Sequence, residues 1–444
     1  MMKRTEWTST VAVLLFFGTS VAATSGCARP SVQIEGPVKV EIVTTDSGYE
    51  LLRGGSPYRI RGAGMSSGDL PLFAAHGGNS IRNWTTRHSQ VETSALLDEA
   101  HANGVTVALG LSMGVERHGF DYDDAEAVAA QLEALRVEVL KYRDHPALLF
   151  WIIGNELNHS YTNPRVYDAV NDVALMIGEL DPNHPRTTAI SGFKGDVITE
   201  IRNRAPALDF ISIQLYGSLF ALPDRIEAFG FEDPFMVTEW GTIGYWEIDK
   251  TDWGAPIELT SSQKAGIYQR AYTEILQPLE GQLIGSYAFY WGQKQERTPT
   301  WFGLLTERDE RTESIDILQY LWTGQWPANR SPQLLSLQFD GKTALDSVRI
   351  ESGGSYYAQV DAVDPDGDRL AYRWELKPES TATQAGGDYE PPIESIEGFF
   401  KGETGARVMI TAPPPGAYRL FVYVVDGPGN AAHANLPFLS VAGS

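Results

Sequence analysis

Between residues 38 and 326, short β-rich apolar runs alternate with amphipathic stretches, and few folds accommodate that pattern. Eight runs read as strands: residues 58–64, 79–84, 105–111, 148–153, 186–190, 209–216, 235–239 and 284–291. The stretches between them carry helical signals. In residues 89–103, Val91, Leu96, Leu97 and Ala100 share one face, and Gly104 follows as a C-cap. Residues 123–142 repeat Ala, Leu and Val on one face, with Asp124 and Glu126 in the first turn. Residues 164–179 follow the same logic, and 261–277 stop at Pro278, which cannot continue a helix. Eight strands, each followed by a helix or long loop, predict an α/β fold, a (β/α)8 TIM barrel rather than an open doubly wound sheet. No Gly-rich phosphate loop follows the first strand to support the open sheet. Two earlier runs, 38–44 and 49–52, read as a hairpin able to plug the barrel floor.

The chain has 444 residues, enough for a barrel and one smaller module. The linker Trp326-Pro327-Ala328-Asn329-Arg330-Ser331-Pro332 marks the change. Beyond it, residues 333–444 hold short alternating runs (356–363, 370–374, 407–410 and 418–425) divided by Gly, Pro and Asp turns, the pattern of an antiparallel β-sandwich. The segment Asp361-Ala362-Val363-Asp364-Pro365-Asp366-Gly367-Asp368, with Val424-Val425-Asp426-Gly427, resembles Ig-like modules of bacterial surface proteins. Asp364, Asp366 and Asp368 offer oxygen ligands for Ca²⁺; the alternative is a plain acidic turn. Such a module either binds carbohydrate or spaces the barrel from a membrane. No His/Cys/Asp cluster has zinc spacing, and the barrel is expected to need no cofactor.

At the other end, Lys3 and Arg4 precede an apolar run and then Ser25-Gly26-Cys27. Residues 1–27 read as a secretory signal peptide, too short for a spanning helix, and 28–37 as a tether. Cys27 is the only cysteine, so no internal disulfide is possible. Cleavage after Val21-Ala22-Ala23 is one route. The other follows from a resemblance to a bacterial lipobox, with Thr24 where Leu is usual. The position of the one cysteine favours lipidation, and hence an exported protein held to the membrane of a bacterial envelope through Cys27. The formal net charge of −22 repels phosphate backbones and excludes nucleic acid as a partner. A monomer with a carbohydrate substrate is expected. Aromatics at 11% suit stacking on sugar rings as well as core packing.

Barrel enzymes carry their chemistry at the C-terminal ends of the strands. The fourth strand ends Gly154-Asn155-Glu156 and the seventh Thr238-Glu239-Trp240-Gly241. Glycoside cleavage needs one protonated carboxyl for the leaving oxygen and one ionised carboxyl for the anomeric carbon. Strands 4 and 7 face each other across a barrel mouth. A separation of about 5–5.5 Å would leave no room for a water and give retention.

With these ends in place, residues 40–325 resemble the clan of retaining β-glycosidases that carry catalytic Glu residues on strands 4 and 7. The closest match in pattern is the β-galactosidase/β-glucuronidase family and its β-glucanase relatives. The resemblance makes Glu156 the acid/base and Glu239 the nucleophile. It gives Asn155 the sugar hydroxyl beside the anomeric carbon, and puts Arg82, in Ile81-Arg82-Asn83-Trp84, next to the nucleophile. Tyr216 would donate to Glu239, and Trp291 would form the platform under the sugar. Asn83, Trp84 and Trp240 are further candidates; Trp84, Trp240, Tyr245 and Trp246 either line the cleft or pack beneath it. Thr298-Pro299-Thr300-Trp301-Phe302-Gly303-Leu304-Leu305 looks like the family's closing segment. His118 and His159 read as solvated loop residues. Two departures bear on substrate. Strand 3 ends Leu111-Ser112-Met113, where relatives carry a larger polar residue, and no sandwich precedes the barrel, which suggests an open cleft and a chain-like substrate such as a β-glucan. A carbohydrate-binding surface lipoprotein without turnover is the alternative reading, against which the intact Asn155, Glu156 and Glu239 count.

Overall fold

A computed structural model describes residues 36–87, 91–402, 405–427 and 429–443. The signal segment with Cys27, and Ser89 at the start of the expected second helix, lie outside the described residues. No helix among those described is long and apolar enough to cross a membrane.

The first three strands, β1 (Val40–Thr45), β2 (Gly48–Arg53) and β3 (Ser56–Pro57), form a small antiparallel sheet. Eight further strands then close a parallel barrel: β4 (Gly62–Gly64), β5 (Ser80–Arg82), β6 (Thr106–Leu111), β7 (Leu148–Asn155), β8 (Arg186–Ser191), β9 (Phe210–Gln214), β10 (Phe235–Trp240) and β11 (Leu283–Ala288). One helix follows each: α1 (Leu70–Ala75), α2 (Thr93–Ala102), α3 (Ala125–Tyr142), α4 (Arg165–Leu180), α5 (Gly195–Arg204), α6 (Leu222–Phe229), α7 (Ser261–Arg270) and α8 (Glu313–Thr323). The predicted (β/α)8 barrel is what the chain forms. Closure requires glycine at Gly62: a Cβ there would lie 2.6 Å from the Tyr287 ring and 2.8 Å from a carbonyl of β11.

Two apolar layers hold the barrel. Its lower interior is filled by Phe150, Ile152, Phe210, Met236 and Tyr287, and Val40 and Leu51 of the leading hairpin join that cluster, so the hairpin plugs the floor. Between strands and helices lies a larger cluster that includes Trp151, Ile213, Val237 and Trp240. Inward and outward positions are both apolar, as expected of a sheet covered on both faces.

The C-terminal sandwich comprises β12 (Gln333–Phe339), β13 (Arg349–Glu351), β14 (Ser355–Val363), β15 (Ala371–Pro378), β16 (Phe400–Lys401), β17 (Arg407–Thr411), β18 (Gly416–Val425) and β19 (Ala431–Val441). They form two four-stranded sheets around Phe339, Trp374 and Phe438. Of the acidic turn, Asp364 and Asp368 gather with Asp426, with ligand oxygens within 4.8 Å of one another. Asp366 is not part of that group; its carboxylate accepts from the Arg330 amide (2.7 Å).

Gly36–Ser444 is one compact unit, and the contact between barrel and sandwich is polar and buried. Glu258 accepts from Lys264 Nζ (2.5 Å), Thr298, Thr300 and, across the interface, Asn435 Nδ2 (2.5 Å). Arg419 donates to the Pro256 carbonyl (2.9 Å), and Arg373 forms a bidentate pair with Glu310 (2.8 and 2.9 Å).

Candidate active site

Both carboxyls predicted to do chemistry sit where a strand loses its register. Pairing of β7 with β8 slips between Ile152 and Asn155, and pairing of β10 with β9 slips between Val237 and Glu239. Such bulges re-aim side chains at strand ends. At the end of β7, Gly154 (φ 72°) and Glu156 (φ 49°) are both left-handed, which turns Glu156 into the barrel mouth. A residue with a Cβ pays about 1 kcal/mol or more for that conformation, and such strain concentrates at functional sites.

Glu239 is nearly buried, and three donors reach it. The Arg82 guanidinium and the Trp84 indole (2.8 Å) donate to Oε1, and the Tyr216 hydroxyl donates to Oε2 (2.8 Å). Arg82 is fully buried, lies 4.4 Å from the Trp84 ring centre, and also donates to Asn155 Oδ1. Tyr216 is set in place by Phe302, Phe289 and Trp246. The expected closing segment thereby supplies part of the site, through Phe302. Burial, together with the nearby carboxylates, pushes the Tyr216 hydroxyl well above its ordinary range, so it stays a donor.

Glu156 differs. Burial and then the charge of Glu239 push its carboxyl up to about 7, while Ser191, Arg82 and Arg117 pull the other way. Two carboxyls in one mouth with different surroundings are the arrangement from which acid and base assignments follow.

The mouth opens into a cavity of about 820 Å³ that includes Trp84, Asn155, Glu156, Tyr216, Glu239 and Trp246 in its lining. Three expected ligands face elsewhere. Trp240 follows Glu239 and points outward, packing on Tyr268 and Tyr272, because neighbours on a strand face opposite sides. Trp291 is buried between Phe73 and Trp322 under α1 and α8, and Phe289 and Tyr290 line the cleft in its stead. Asn83 is buried and braces the sheet, accepting from the Gly110 amide (2.8 Å). His159 lines the cavity, where burial and the charges of Arg117 and Lys194 hold its imidazole below the usual value.

Several residues escaped sequence reasoning. Gln214 donates to Asn155 Oδ1 (2.8 Å), so two donors fix that amide. It closes the sixth strand, and strand ends were the available signal. Gln384, Ala385, Gly386 and Gly387 line the cavity from the sandwich, which no strand-end rule reaches. The cleft, expected to be open, is therefore walled on one side by the C-terminal module.

No family model matches the chain. A protein of Arabidopsis thaliana that carries the name of a mannan endo-1,4-beta-mannosidase is 30% identical over 92 residues, 20% of this chain and 22% of that one. Among solved structures, β-D-glucuronidase of Dictyoglomus thermophilum is 17% identical with a TM-score of 0.50, covering 65% of this chain and 54% of that one. β-Glucuronidase 2 of Bacteroides uniformis is 14% identical with the same TM-score of 0.50, covering 91% of this chain and 48% of that one. The chain thus spans about half the length of these structures and under a quarter of the curated relative. At such identities the likeness to the solved structures is one of fold alone.

Proposed function

We propose that this protein is a retaining β-glycosidase acting on a β-linked oligo- or polysaccharide, with a β-glucan as the leading substrate class. The observation that carries the reading is the unlike pair of carboxyls in one cleft: Glu156 pushed up to about 7, and Glu239 facing three donors. Glu239 Oε attacks the anomeric carbon as the glycosidic C–O bond breaks, and the Glu156 proton goes to the leaving oxygen. Glu156, now a carboxylate, takes a proton from water. That water attacks the same carbon, and the Glu239 ester bond breaks. A sugar hydroxyl in place of water gives transglycosylation through the same intermediate. The Asn155 amide, with its oxygen engaged by Arg82 and Gln214, presents its NH2 to a sugar hydroxyl.

The pH dependence follows from the proton on Glu156. A raised carboxyl holds its proton below about pH 7 and loses it above, so kcat/KM on substrates with poor leaving groups should fall as pH rises through about 7. A profile that is flat from pH 6 to 9 (about one unit below to two above that value) would contradict the assignment.

Removing the acid should have a chemically selective effect. Glu156→Ala is expected to lose about 10²–10⁴-fold on unactivated glycosides and much less on aryl glycosides with good leaving groups, with azide restoring part of the rate. Equal losses on both substrate types, with no azide rescue, would remove Glu156 from the acid role.

A further inference from the structure

The connection from β15 to β16, residues 379–399, has no regular secondary structure and leaves the sandwich to meet the barrel mouth. Bare connections longer than about 12–15 residues are uncommon unless functional. This one is clasped at two places. On the loop after β11, the Arg297 amide donates to Glu390 Oε2 (2.7 Å), its guanidinium donates to the carbonyls of Ala382 and Gln384 (3.2 Å to the latter), and the Gly387 amide donates to Glu296 Oε1 (3.3 Å). On the loop after β6, Arg117 Nη2 donates to Asp388 Oδ1 (2.9 Å). Glu390 and Glu296 are both buried, so the clasp after β11 is not a loose surface contact. Within this strap, Gln384–Gly387 line the cavity, and Gly386 lies directly against Tyr245 and Trp246. The end of β6, where the sequence lacks a large polar residue, is the region to which Asp388 is tied.

We propose that residues 382–388 of the sandwich are a specificity-determining wall that contacts sugar units beyond the one being cleaved. The proposal rests on the glycosidase reading. The hydrogen bonds that hold the strap run to Arg117, Glu296 and Arg297 and not to Glu156 or Glu239, so its contribution lies in binding the rest of the substrate. Gln384 supplies an amide for sugar hydroxyls, and Gly386 packs against the half-exposed Trp246, where even a Cβ would lie 3.3 Å from the indole, so strap and indole form one continuous wall of the cavity. Asp388 and Arg117 act as positioning residues.

The test uses the full chain. Ala385→Trp fills the wall and Asp388→Ala releases one clasp; each is compared with wild type on laminaripentaose, cellopentaose and mannopentaose and on para-nitrophenyl monoglycosides. On whichever pentasaccharide is cleaved, kcat/KM should fall by more than about tenfold, chiefly through KM. The monoglycoside rate, and labelling of Glu239 by a fluorosugar inactivator, should change by less than about threefold. Equal losses on long and short substrates, or no loss on either, overturn the proposal. If Asp388→Ala melts early, Ala385→Trp, which breaks no clasp, decides. Wild type that neither cleaves any glycoside nor is labelled at Glu239 would instead defeat the glycosidase reading, a result separate from the strap's role.

Discussion

Glu239→Ala is expected to lower kcat on an aryl β-glycoside by about 10⁴-fold or more, because the atom that forms the covalent bond is gone. The same change strips three donors of their acceptor. Arg82 is fully buried and would keep only Asn155 as a hydrogen-bond acceptor, with no carboxylate bonded to it, so the variant should also lose stability. Glu239→Gln separates the two effects: it retains an acceptor oxygen for the donors but cannot serve as a carboxylate nucleophile. Folded protein with turnover above trace in either variant would refute the nucleophile assignment. Mass spectrometry after a fluorosugar inactivator offers an independent reading, since the label should fall on the peptide containing Glu239.

The second large effect lies far from the chemistry. Glu258→Ala should destabilise the folded unit by about 3–5 kcal/mol, the usual cost of leaving one member of a buried ion pair without its partner. Lys264 would retain the Thr300 carbonyl (2.6 Å) but no counter-charge, and Asn435 would lose its short bond across the interface, keeping only the longer one to Thr300 Oγ1 (3.4 Å). Burial pushes the Glu258 carboxyl up, yet Lys264 and the surrounding donors outweigh it and hold it at about 2. A lowered carboxyl stabilises the fold fully above its ordinary value of 4.5 and progressively less as pH falls to about 2. Glu258→Gln should therefore flatten the loss of stability in that window as well as lower the melting temperature. Unfolding curves that superimpose on wild type would show that the Glu258 cluster does not stabilise the folded unit.

Much of this was legible in the chain because a barrel repeats one rule eight times. Alternating apolar runs located every barrel strand, and Arg82, Glu156, Tyr216 and Glu239, each at or just beyond the end of one, gather in the barrel mouth. What the rule misses is parity. Trp240 and Trp291 look like cleft aromatics by position, but whether a residue near a strand end faces in or out depends on a bulge or on the path of the following loop. The first strand was expected over 58–64, and only Gly62–Gly64 pairs; Tyr58 instead donates to the Asn79 carbonyl (2.7 Å). Asp426 and Gln384–Gly387 were out of reach for another reason. Each acquires its neighbours through tertiary contacts between segments tens of residues or more apart, which no local pattern encodes.

The left-handed backbone at Glu156 has a bearing on redesign. Glycine or asparagine would relax that position, and a search for sturdier variants guided by folding energy alone would choose one of them. It would obtain a more comfortable strand end and lose the proposed proton donor. The discomfort is thus a marker: where a chain tolerates a side chain that its own backbone disfavours, the reason lies in what that side chain does to something else.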